Sequence, residues 1–168
     1  MVEEKLQAAP CATDKERERT VLFVCTGNTC RSPMAAALCN HNLKKRGYRA
    51  FSAGLYAIEG APMTAAALDA LAAAGVTSDE GNDYKEHRAH TVTRADMERA
   101  DRVIGLSAAH AWELTMRFPD CAAKIECMPM DIADPYGGDA AVYRACLAEI
   151  GYSLALLFPN GEGDAPCT

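Results

Sequence analysis

The sequence predicts one α/β domain of three layers, in which a four-stranded parallel sheet lies between two layers of helices. The order of segments along the chain and the size of the chain predict this class. Apolar segments of strand length alternate along the chain with alanine- and leucine-rich segments of helical length, and strands that alternate with helices form right-handed β-α-β units. The chain has 168 residues, of which 49% are hydrophobic and 24% charged, and this size and composition suit a single domain.

The first strand and the first helix flank a short loop. The segment TVLFVC (20–25) is almost wholly apolar, which is typical of a strand covered on both faces. After the loop, Ser32 is predicted to cap a helix whose first turn accepts Pro33, because the missing proline N–H has no intrahelical partner there. Basic residues fill the last turn, and Gly47 is a stop signal.

The remaining elements continue the same alternation. Further strands are predicted at 48–54, 101–107 and 123–130. Further helices are predicted at 62–75, 93–100, 108–117 and 140–158, with an irregular connection over 76–92 and a loop over 131–139. The closing helix carries an apolar stripe that we expect in the core: Val142, Leu147, Ile150, Leu154 and Leu157. The domain is expected to span 20–158, with a flexible N-terminal tail (1–19) and a C-terminal tail (159–168).

Charge and hydropathy exclude several kinds of partner. The net charge of −6 argues against a surface for nucleic acid or for a basic membrane contact. No apolar run approaches the roughly 20 residues that span a bilayer, and the N-terminal tail holds no apolar stretch of signal-peptide length. We therefore expect a cytoplasmic protein without nucleic-acid or membrane partners, and a monomer is the working expectation for its oligomeric state.

The eight cysteines predict neither a disulfide framework nor a zinc site. Disulfide-dense scaffolds are small and secreted, and no C-x-x-C pair is present. Two cysteines lie in the predicted tails, Cys11 and Cys167. Four are expected to be ordinary small apolar residues: Cys39, Cys121, Cys127 and Cys146. The four histidines lack the spacing of metal ligands, so no metal and no other cofactor is expected.

The loop CTGNTCRS (25–32) carries the strongest chemical signal. A loop between a strand and a helix presents several backbone N–H groups to one point, and the helix dipole adds positive potential, so such a loop binds anions. It is not a Walker loop, since G-x-x-x-x-G-K-[ST] is missing. The dipole and Arg31 favour the thiolate of Cys25, and Arg31 can hold two oxygens of a phosphoryl group. A thiolate beneath a bound oxyanion is a nucleophile aimed at phosphorus or arsenic.

The stretch VLFVCTGNTCRSPMA resembles the low-molecular-weight protein-tyrosine-phosphatase family, and the resemblance covers roughly residues 20–158. It implies a cysteine-dependent protein phosphatase with phosphorylated proteins as substrates. It implies that Cys25 becomes a phosphocysteine, that Arg31 stabilises the transition state and that the Ser32 hydroxyl hydrogen-bonds the thiolate. The implied phosphate-binding loop lies between the first strand and the first helix and comprises Thr26, Gly27, Asn28, Thr29, Cys30, Arg31 and Ser32.

The resemblance also implies roles for residues that support the loop. Asn28 would adopt a left-handed conformation, which asparagine tolerates, and Ser52 and His87 would brace it. For His87 the alternative is an ordinary surface histidine. Cys30 matches a second cysteine that forms a reversible disulfide with Cys25 in the family, and a packed small residue is the alternative.

The loop ADPYGG near the end of the chain supplies the candidate general acid. The reaction needs a proton donor for the leaving group and later a base that activates water, and Asp134 matches the family's general acid. An ordinary Asp-Pro turn is the alternative, and Asp131 and Asp139 compete for the role. Functional loops gather at the carboxyl ends of parallel strands, so we expect Cys25, Ser52 and Asp134 on one edge of the sheet.

Two residues bear on the substrate. Thr29 stands where tyrosine-specific members usually carry a bulky aliphatic residue, while bacterial arginine-phosphatase members resemble CTGNTCRS. Tyr136 could flank an aromatic ring or a planar guanidinium. We therefore expect phosphoarginine to be favoured, with phosphotyrosine as the alternative. The chain departs from the family at Ala36, where an acidic residue is usual, and we expect altered helix packing with retained chemistry.

Two other classes stay open. Thioredoxin-coupled arsenate reductases resemble this fold and share a similar loop, but they need two further cysteines. Cys121 and Cys127 are the candidates, although they lie later in the chain than that family's pair, and Asp134 favours the phosphatase. The third class is a non-catalytic binder that holds phosphorylated proteins without turning them over.

Overall fold

A computed structural model describes residues 17–160 of the chain. Its strands are β1 (Arg19–Cys25), β2 (Tyr48–Gly54), β3 (Arg102–Gly105) and β4 (Ile125–Cys127). They form one parallel sheet in the order β2-β1-β3-β4. The predicted three-layer α/β class is confirmed, because helices cover both faces of this sheet.

Five helices are present among the described residues. They are α1 (Arg31–Leu43), α2 (Ala65–Ala73), α3 (Arg94–Arg99), α4 (Ala108–Arg117) and α5 (Ala140–Leu157). Short 3-10 turns cover Lys44–Arg46, Tyr84–Glu86 and Pro119–Lys124. Helices α1, α2 and α5 pack on one face of the sheet, and α3 and α4 pack on the other.

The central strand β1 supplies both cores, since successive side chains of a strand point to opposite faces. Val21 and Phe23 lie in the core beneath α1, α2 and α5, and Leu22 and Val24 lie in the core beneath α3 and α4. All four side chains are fully buried. Each contributes roughly 1.5–3 kcal/mol through burial, so this strand fixes the position of the loop that follows it.

The outer strand β2 has an open edge, and one side chain of α1 covers part of it. Nδ2 of Asn40 donates to the carbonyl of Ala50 at 3.0 Å, and Oδ1 of Asn40 accepts the Ala50 N–H at 2.7 Å. The amide therefore makes the two hydrogen bonds that a neighbouring strand would make at this position. This explains a buried polar residue on a helix face that otherwise packs in the core.

Two helix starts differ from the sequence prediction. Ser32 is not a cap but the second residue of α1, and its hydroxyl bonds to the preceding loop instead. Helix α2 begins at Ala65 rather than at Pro62. The reason is Thr64, whose hydroxyl accepts the N–H of Ala67 and so caps the helix at that point.

The fourth strand is three residues long, not the eight residues predicted over 123–130. The 3-10 turn Pro119–Lys124 occupies the chain before it. After Cys127 the Met128 N–H still donates to Gly105, but Pro129 has no N–H with which to continue the ladder. Tertiary hydrogen bonding and a proline therefore shorten a segment that is apolar enough for a longer strand.

Some predicted core residues lie elsewhere. Val142 is 45% exposed at the start of α5, so its predicted core position was wrong, and Cys127 is exposed at the end of β4. The other apolar stripe residues of α5 pack in or against the core, and Cys39, Cys121 and Cys146 are buried. Arg19 belongs to β1 rather than to a tail. Residues 1–16 and 161–168, with Cys11, Cys167 and most of both predicted tails, lie outside the described residues.

Helix α5 is long and apolar enough to cross a membrane by length and composition alone, which the sequence prediction did not anticipate. Core helices of soluble proteins pass the same test. Here α5 packs against α1 and α2 and contributes Leu147, Ile150 and Leu154 to the core.

Replacing Asn40 by alanine should lower the free energy of unfolding by about 2 kcal/mol, because the N–H and C=O of Ala50 lose their partners. Urea denaturation would show this as a lower midpoint at an unchanged slope. Asn42→Ala, at an exposed asparagine of the same helix, is the matched control and should change the midpoint little. Equal losses in the two variants would contradict a stabilising role for the Asn40 amide.

Candidate active site

The loop between β1 and α1 surrounds the thiol of Cys25. Cys25 is the last residue of β1 and is 2% exposed, and Arg31 is the first residue of α1. A cavity of about 390 Å³ opens above the loop. Its lining comprises residues 25–31, Tyr56, Ile58, Ala61, Thr64, Asp134 and Tyr136. The predicted nucleophile, guanidinium and acid therefore meet at one cavity.

Asn28 holds the loop in shape. Its φ of +57° is the one positive value at a non-glycine residue in the described part of the chain. Its Nδ2 donates to the hydroxyls of Ser32 and Ser52, both at 3.0 Å, and its Oδ1 accepts the His90 N–H at 3.1 Å. Its carbonyl accepts a hydrogen bond from Nε2 of His87 at 2.8 Å. These bonds offset the roughly 1–2 kcal/mol of the left-handed backbone and the burial of the amide.

His87 contacts the loop from the irregular connection that precedes α3. Burial lowers its pKa below the ordinary 6.5, while the hydrogen bond to Asn28 acts in the opposite direction. The imidazole is therefore neutral at pH 7. Because a carbonyl oxygen can only accept, Nε2 carries the proton of that neutral ring. The structure thus places both predicted braces, Ser52 and His87, directly on Asn28.

Gly54 allows the end of β2 to pass close beneath the loop. A Cβ on Gly54 would lie 2.7 Å from the carbonyl oxygen of Thr26, closer than real Cβ atoms approach. The next two backbone N–H groups, of Leu55 and Tyr56, donate to the carbonyls of Cys25 and Thr26 at 2.8 and 2.9 Å. The two residues that follow β2 thereby hold the first turn of the loop from below.

The Ser32 hydroxyl lies between the thiol and the sheet. Its oxygen accepts from Asn28, and it is 3.0 Å from Sγ of Cys25 and 3.2 Å from the carbonyl oxygen of Ala53. The single hydroxyl proton can be donated to the sulfur or to the carbonyl, but not to both. It serves the carbonyl when Cys25 is a thiol and can turn to the sulfur when Cys25 is a thiolate, whose charge strengthens the bond.

Arg31 is joined to the loop that carries Asp134. Its Nη2 lies 3.2 Å from Oδ2 of Asp134, and its Nη1 donates to the carbonyl of Ile132 at 3.1 Å. The Arg31 side chain is 9% exposed and that of Asp134 is 55% exposed. The carbonyl thus fixes the guanidinium from inside, while the carboxylate meets it from the open cavity.

The three aspartates of this region have different partners. Asp131 accepts the N–H of Ala108 at the start of α4, and Asp139 accepts the N–H of Val142 and caps α5. Asp134 accepts the N–H of Tyr136 through Oδ1, which leaves Oδ2 for Arg31. Of the three, Asp134 is the one that lines the cavity with Cys25.

A second histidine side chain, that of His110, contacts the loop, and the sequence analysis missed it. The hydroxyl of Ser107 accepts the backbone N–H of His110 and is 2.8 Å from its Nδ1. Its Nε2 lies 3.0 Å from the Thr26 hydroxyl, so a hydroxyl group flanks each ring nitrogen, and in the neutral ring one nitrogen donates while the other accepts. Burial, and next the charge of Arg31, lowers the pKa of His110. The available signal was a serine cap three residues before a histidine at a helix start.

Cys30 has partners on α2 and α5 that the sequence analysis also missed. Its Sγ lies 3.3 Å from the Tyr143 hydroxyl and 3.4 Å from the Thr64 hydroxyl. Burial raises the pKa of Tyr143 to about 12, so the phenol stays protonated at neutral pH. The Thr64 N–H donates to the carbonyl of Thr29 at 3.1 Å. The start of α2 therefore holds the outer half of the loop.

The rim of the cavity is aromatic and apolar. Tyr56, Ile58 and Tyr136 are 63%, 79% and 75% exposed. The ring of Tyr56 already stacks with a guanidinium, since the Arg117 side chain lies 4.5 Å from its centroid. Thr29 is half-buried in the cavity wall. The site can therefore hold a flat group between exposed rings above a phosphate-sized loop.

Comparison with known proteins finds low molecular weight protein phosphatases. The family model described as low molecular weight phosphotyrosine protein phosphatase matches residues 20–162. A protein-arginine-phosphatase of Geobacillus stearothermophilus is 36% identical over 137 residues, covering 77% of this chain and 87% of the relative. A probable low molecular weight protein-tyrosine-phosphatase of Ralstonia nicotianae, EpsP, is 35% identical over 136 residues, covering 79% and 88%.

Solved structures agree with these relatives. The YwlE arginine phosphatase from Geobacillus stearothermophilus superposes with a TM-score of 0.74 at 34% identity, covering 83% of this chain and 90% of that one. The low molecular weight protein tyrosine phosphatase from T. tengcongensis superposes with a TM-score of 0.75 at 34% identity, covering 83% and 97%. Arginine and tyrosine phosphatases are thus about equally similar to this chain.

Lowering the pH from about 7.5 to about 5 should destabilise the protein, and His110→Gln should reduce that dependence. The folded state holds the pKa of His110 below 6.5, so the unfolded chain binds more protons in this range. The free energy of unfolding therefore decreases as the pH is lowered. Urea midpoints across the range measure the slope. The matched control His41→Gln changes an exposed histidine of α1 and should keep the wild-type slope. An unchanged slope in His110→Gln would contradict the buried neutral imidazole.

Proposed function

The chain belongs to the low molecular weight phosphotyrosine protein phosphatase family, and we propose that Cys25, Arg31 and Asp134 carry out its phosphatase reaction. The observation that carries the proposal is the cavity that these residues share, with the Cys25 thiol at its base and the Arg31–Asp134 pair at its side. The loop around them presents the start of α1 to the same point.

In the first step, the Cys25 thiolate attacks the phosphorus of the substrate. A sulfur–phosphorus bond forms as the bond from phosphorus to the leaving atom breaks, and Asp134 gives its proton to that atom. Arg31 and the backbone N–H groups of the loop bind the phosphoryl oxygens, whose charge they stabilise in the transition state. The product of the step is a phosphocysteine and the dephosphorylated side chain.

In the second step, water hydrolyses the phosphocysteine. The Asp134 carboxylate takes a proton from the water as its oxygen attacks phosphorus, and the sulfur leaves as a thiolate. The Ser32 hydroxyl, 3.0 Å from that sulfur, donates its proton in a hydrogen bond to the returning charge. Inorganic phosphate departs, and Asp134 is again protonated for the next substrate.

Phosphoarginine is the substrate class that we propose as favoured. Thr29 leaves more room in the wall of the cavity than an aliphatic residue would, and its hydroxyl can contact a guanidinium. Tyr56 and Tyr136 offer faces on which a planar cation stacks, as Arg117 does on Tyr56. The similarity to an arginine phosphatase supports this choice.

Phosphotyrosine is the alternative, supported by the comparable identity to a probable tyrosine phosphatase and by the same aromatic rim. Arsenate reduction is less well supported, because Cys121 and Cys127 do not line the cavity of Cys25. A non-catalytic binder is also less well supported, since the nucleophile and the acid are both present. We further propose that the enzyme acts in the cytoplasm, as a monomer, on phosphorylated proteins.

We also propose the redox role that the resemblance implies for Cys30, a reversible disulfide with Cys25. A peroxide would take two electrons from the two thiols, with Cys25 and Cys30 joined in a disulfide and water released. Both cysteines are free thiols in the structure. The Tyr143 and Thr64 hydroxyls at Cys30 support its alternative role as a packed small residue equally well.

Phosphate release from a phosphoarginine peptide and a phosphotyrosine peptide, measured in parallel, tests the proposed function. We expect the higher kcat/KM with phosphoarginine and no release from either peptide in Cys25→Ser. Thr29→Ile should lower the ratio of the two kcat/KM values by about tenfold, the usual size of a change in one apolar pocket group. Thr77→Ile, at an exposed threonine away from the cavity, is the control.

Faster release from phosphotyrosine by the wild type would overturn the substrate proposal while keeping the mechanism. Release that persists in Cys25→Ser would overturn the mechanism itself.

Asp134→Asn should lower kcat about 100- to 1,000-fold on both peptides, since it removes the general acid and base. The loss should be smaller with 4-nitrophenyl phosphate, whose leaving group needs little protonation. Steady-state kinetics on the three substrates measure this difference. Asp139→Asn, which keeps a good helix cap, should retain wild-type rates. If Asp139→Asn lost activity to the same extent, the assignment of the acid would be wrong.

A further inference from the structure

A second concave surface lies along the open edge of the sheet, and we call it the edge groove. Its volume is about 540 Å³, and it shares no lining residue with the cavity above Cys25. Helix α1 forms one wall with residues such as Ala36 and Asn40, β2 forms the floor over residues 49–52, and residues 81–90 form part of the far wall. The catalytic steps described above leave it unused.

The edge groove is basic although the chain is acidic. Three arginines line it, Arg49, Arg88 and Arg99, against one lining carboxylate, Asp83, and Arg88 also lies 3.9 Å from the carboxylate of Glu86. Within residues 17–160 neither Arg49 nor Arg99 forms a salt bridge. In a chain of net charge −6, such a local excess of guanidinium groups attracts anions.

Two of the guanidinium groups are held by contacts of their own. The Arg99 guanidinium lies 3.7 Å from the centroid of the Phe51 ring, which also lines the groove. Arg88 donates to the carbonyl of His87 at 2.8 Å. Fixed guanidinium groups lose less entropy when they bind a carboxylate or a phosphate.

The floor of the groove offers backbone groups as well. Asn40 occupies the edge at Ala50. At Gly54 the N–H donates to the carbonyl of His90, and the carbonyl accepts the N–H of Val92. Because outward-facing backbone groups recur at every second residue of a strand, the N–H and C=O of Ser52 point to the same edge between these two places. A ligand in the groove can therefore accept a backbone hydrogen bond beside the arginines.

The groove is physically connected to the catalytic loop. Ser52 and His87 line it, and the same two residues bond to the side chain and to the carbonyl of Asn28. A ligand that restrains these residues also restrains the left-handed turn of the loop.

We propose that the edge groove binds a small polyanion with two or more carboxylate or phosphate groups, and that its occupancy raises the activity of the catalytic loop. The coupling, but not the binding, rests on the proposed phosphatase function. The volume suits a small molecule. Two or three guanidinium groups match the charge of a di- or tricarboxylate or of a compound with several phosphates, and the acidic surface elsewhere disfavours a long polyanion such as a nucleic acid.

Citrate is the probe for the first test, with the full-length chain in a calorimetric titration at constant ionic strength. We expect saturable binding of one citrate per chain. The double variant Arg49→Gln, Arg99→Gln should weaken it about 100-fold, at about tenfold for each charged hydrogen-bonding partner lost. Arg144→Gln changes an exposed arginine of α5 outside the groove, and should bind citrate as the wild type does.

Ala36 allows a test that removes no arginine. Ala36→Glu places a carboxylate on the α1 wall of the groove, where it should compete with citrate, whereas Ala36→Gln adds the same bulk without charge. We expect much weaker citrate binding in the glutamate variant than in the glutamine variant. Equal binding by the two variants would show that charge in the groove does not govern the interaction.

The rate assay locates the site and tests the coupling. We expect citrate to raise kcat on a phosphopeptide in the wild type and in Arg144→Gln, and to leave the rate of the double arginine variant unchanged. Citrate that competes with the substrate and still binds the double variant would lie in the catalytic loop and overturn the proposal. Absence of binding at millimolar citrate would also overturn it.

Binding in the groove without a change in rate would overturn the coupling alone. If citrate bound the groove and the wild type released no phosphate from any phosphopeptide, the proposed function would fail while the site stood.

Discussion

The arrangement of the site depends on the hydrogen bonds that hold Asn28 in a left-handed conformation inside the protein. The left-handed backbone and the burial of a polar side chain each cost free energy. It persists because partners from three segments converge on it, namely Ser32 in α1, Ser52 in β2, and the His87–His90 stretch. The turn of the loop, and with it the distance between thiol and guanidinium, thus depends in part on Ser52, His87 and His90, which lie far from either group in sequence.

The parallel sheet makes this convergence possible. Carboxyl ends of β1 and β2 lie side by side, with Cys25 opposite Gly54 in the register, and the chain around Thr91 pairs with Gly54 as a further short bridge. Each segment therefore delivers its polar group to the same edge. The absence of a side chain at Gly54 lets the backbone of β2 come within reach of the loop that it supports.

The sequence predicted the fold and the loop well because both depend on local pattern. An apolar strand, a cysteine loop and a helix are contiguous, so residues 20–43 could be interpreted without knowledge of their neighbours. The shorter β4 and the place of Ser32 inside α1 rather than at its cap were not predicted from local pattern, since contacts with other segments decide them. His110 lies 84 residues from Thr26, and Tyr143 lies 113 residues from Cys30. Pattern alone also left three aspartates as candidates, which their partners distinguish.

The position of the Ser32 hydroxyl has a consequence for how the chemical state of the sulfur reaches the rest of the molecule. One hydrogen serves either the sulfur or the Ala53 carbonyl of β2. Each gain or loss of negative charge at Cys25 therefore alters the hydrogen bonding of a buried peptide group in the neighbouring strand. The infrared stretching frequency of the Ala53 carbonyl should therefore follow the ionisation of the Cys25 thiol.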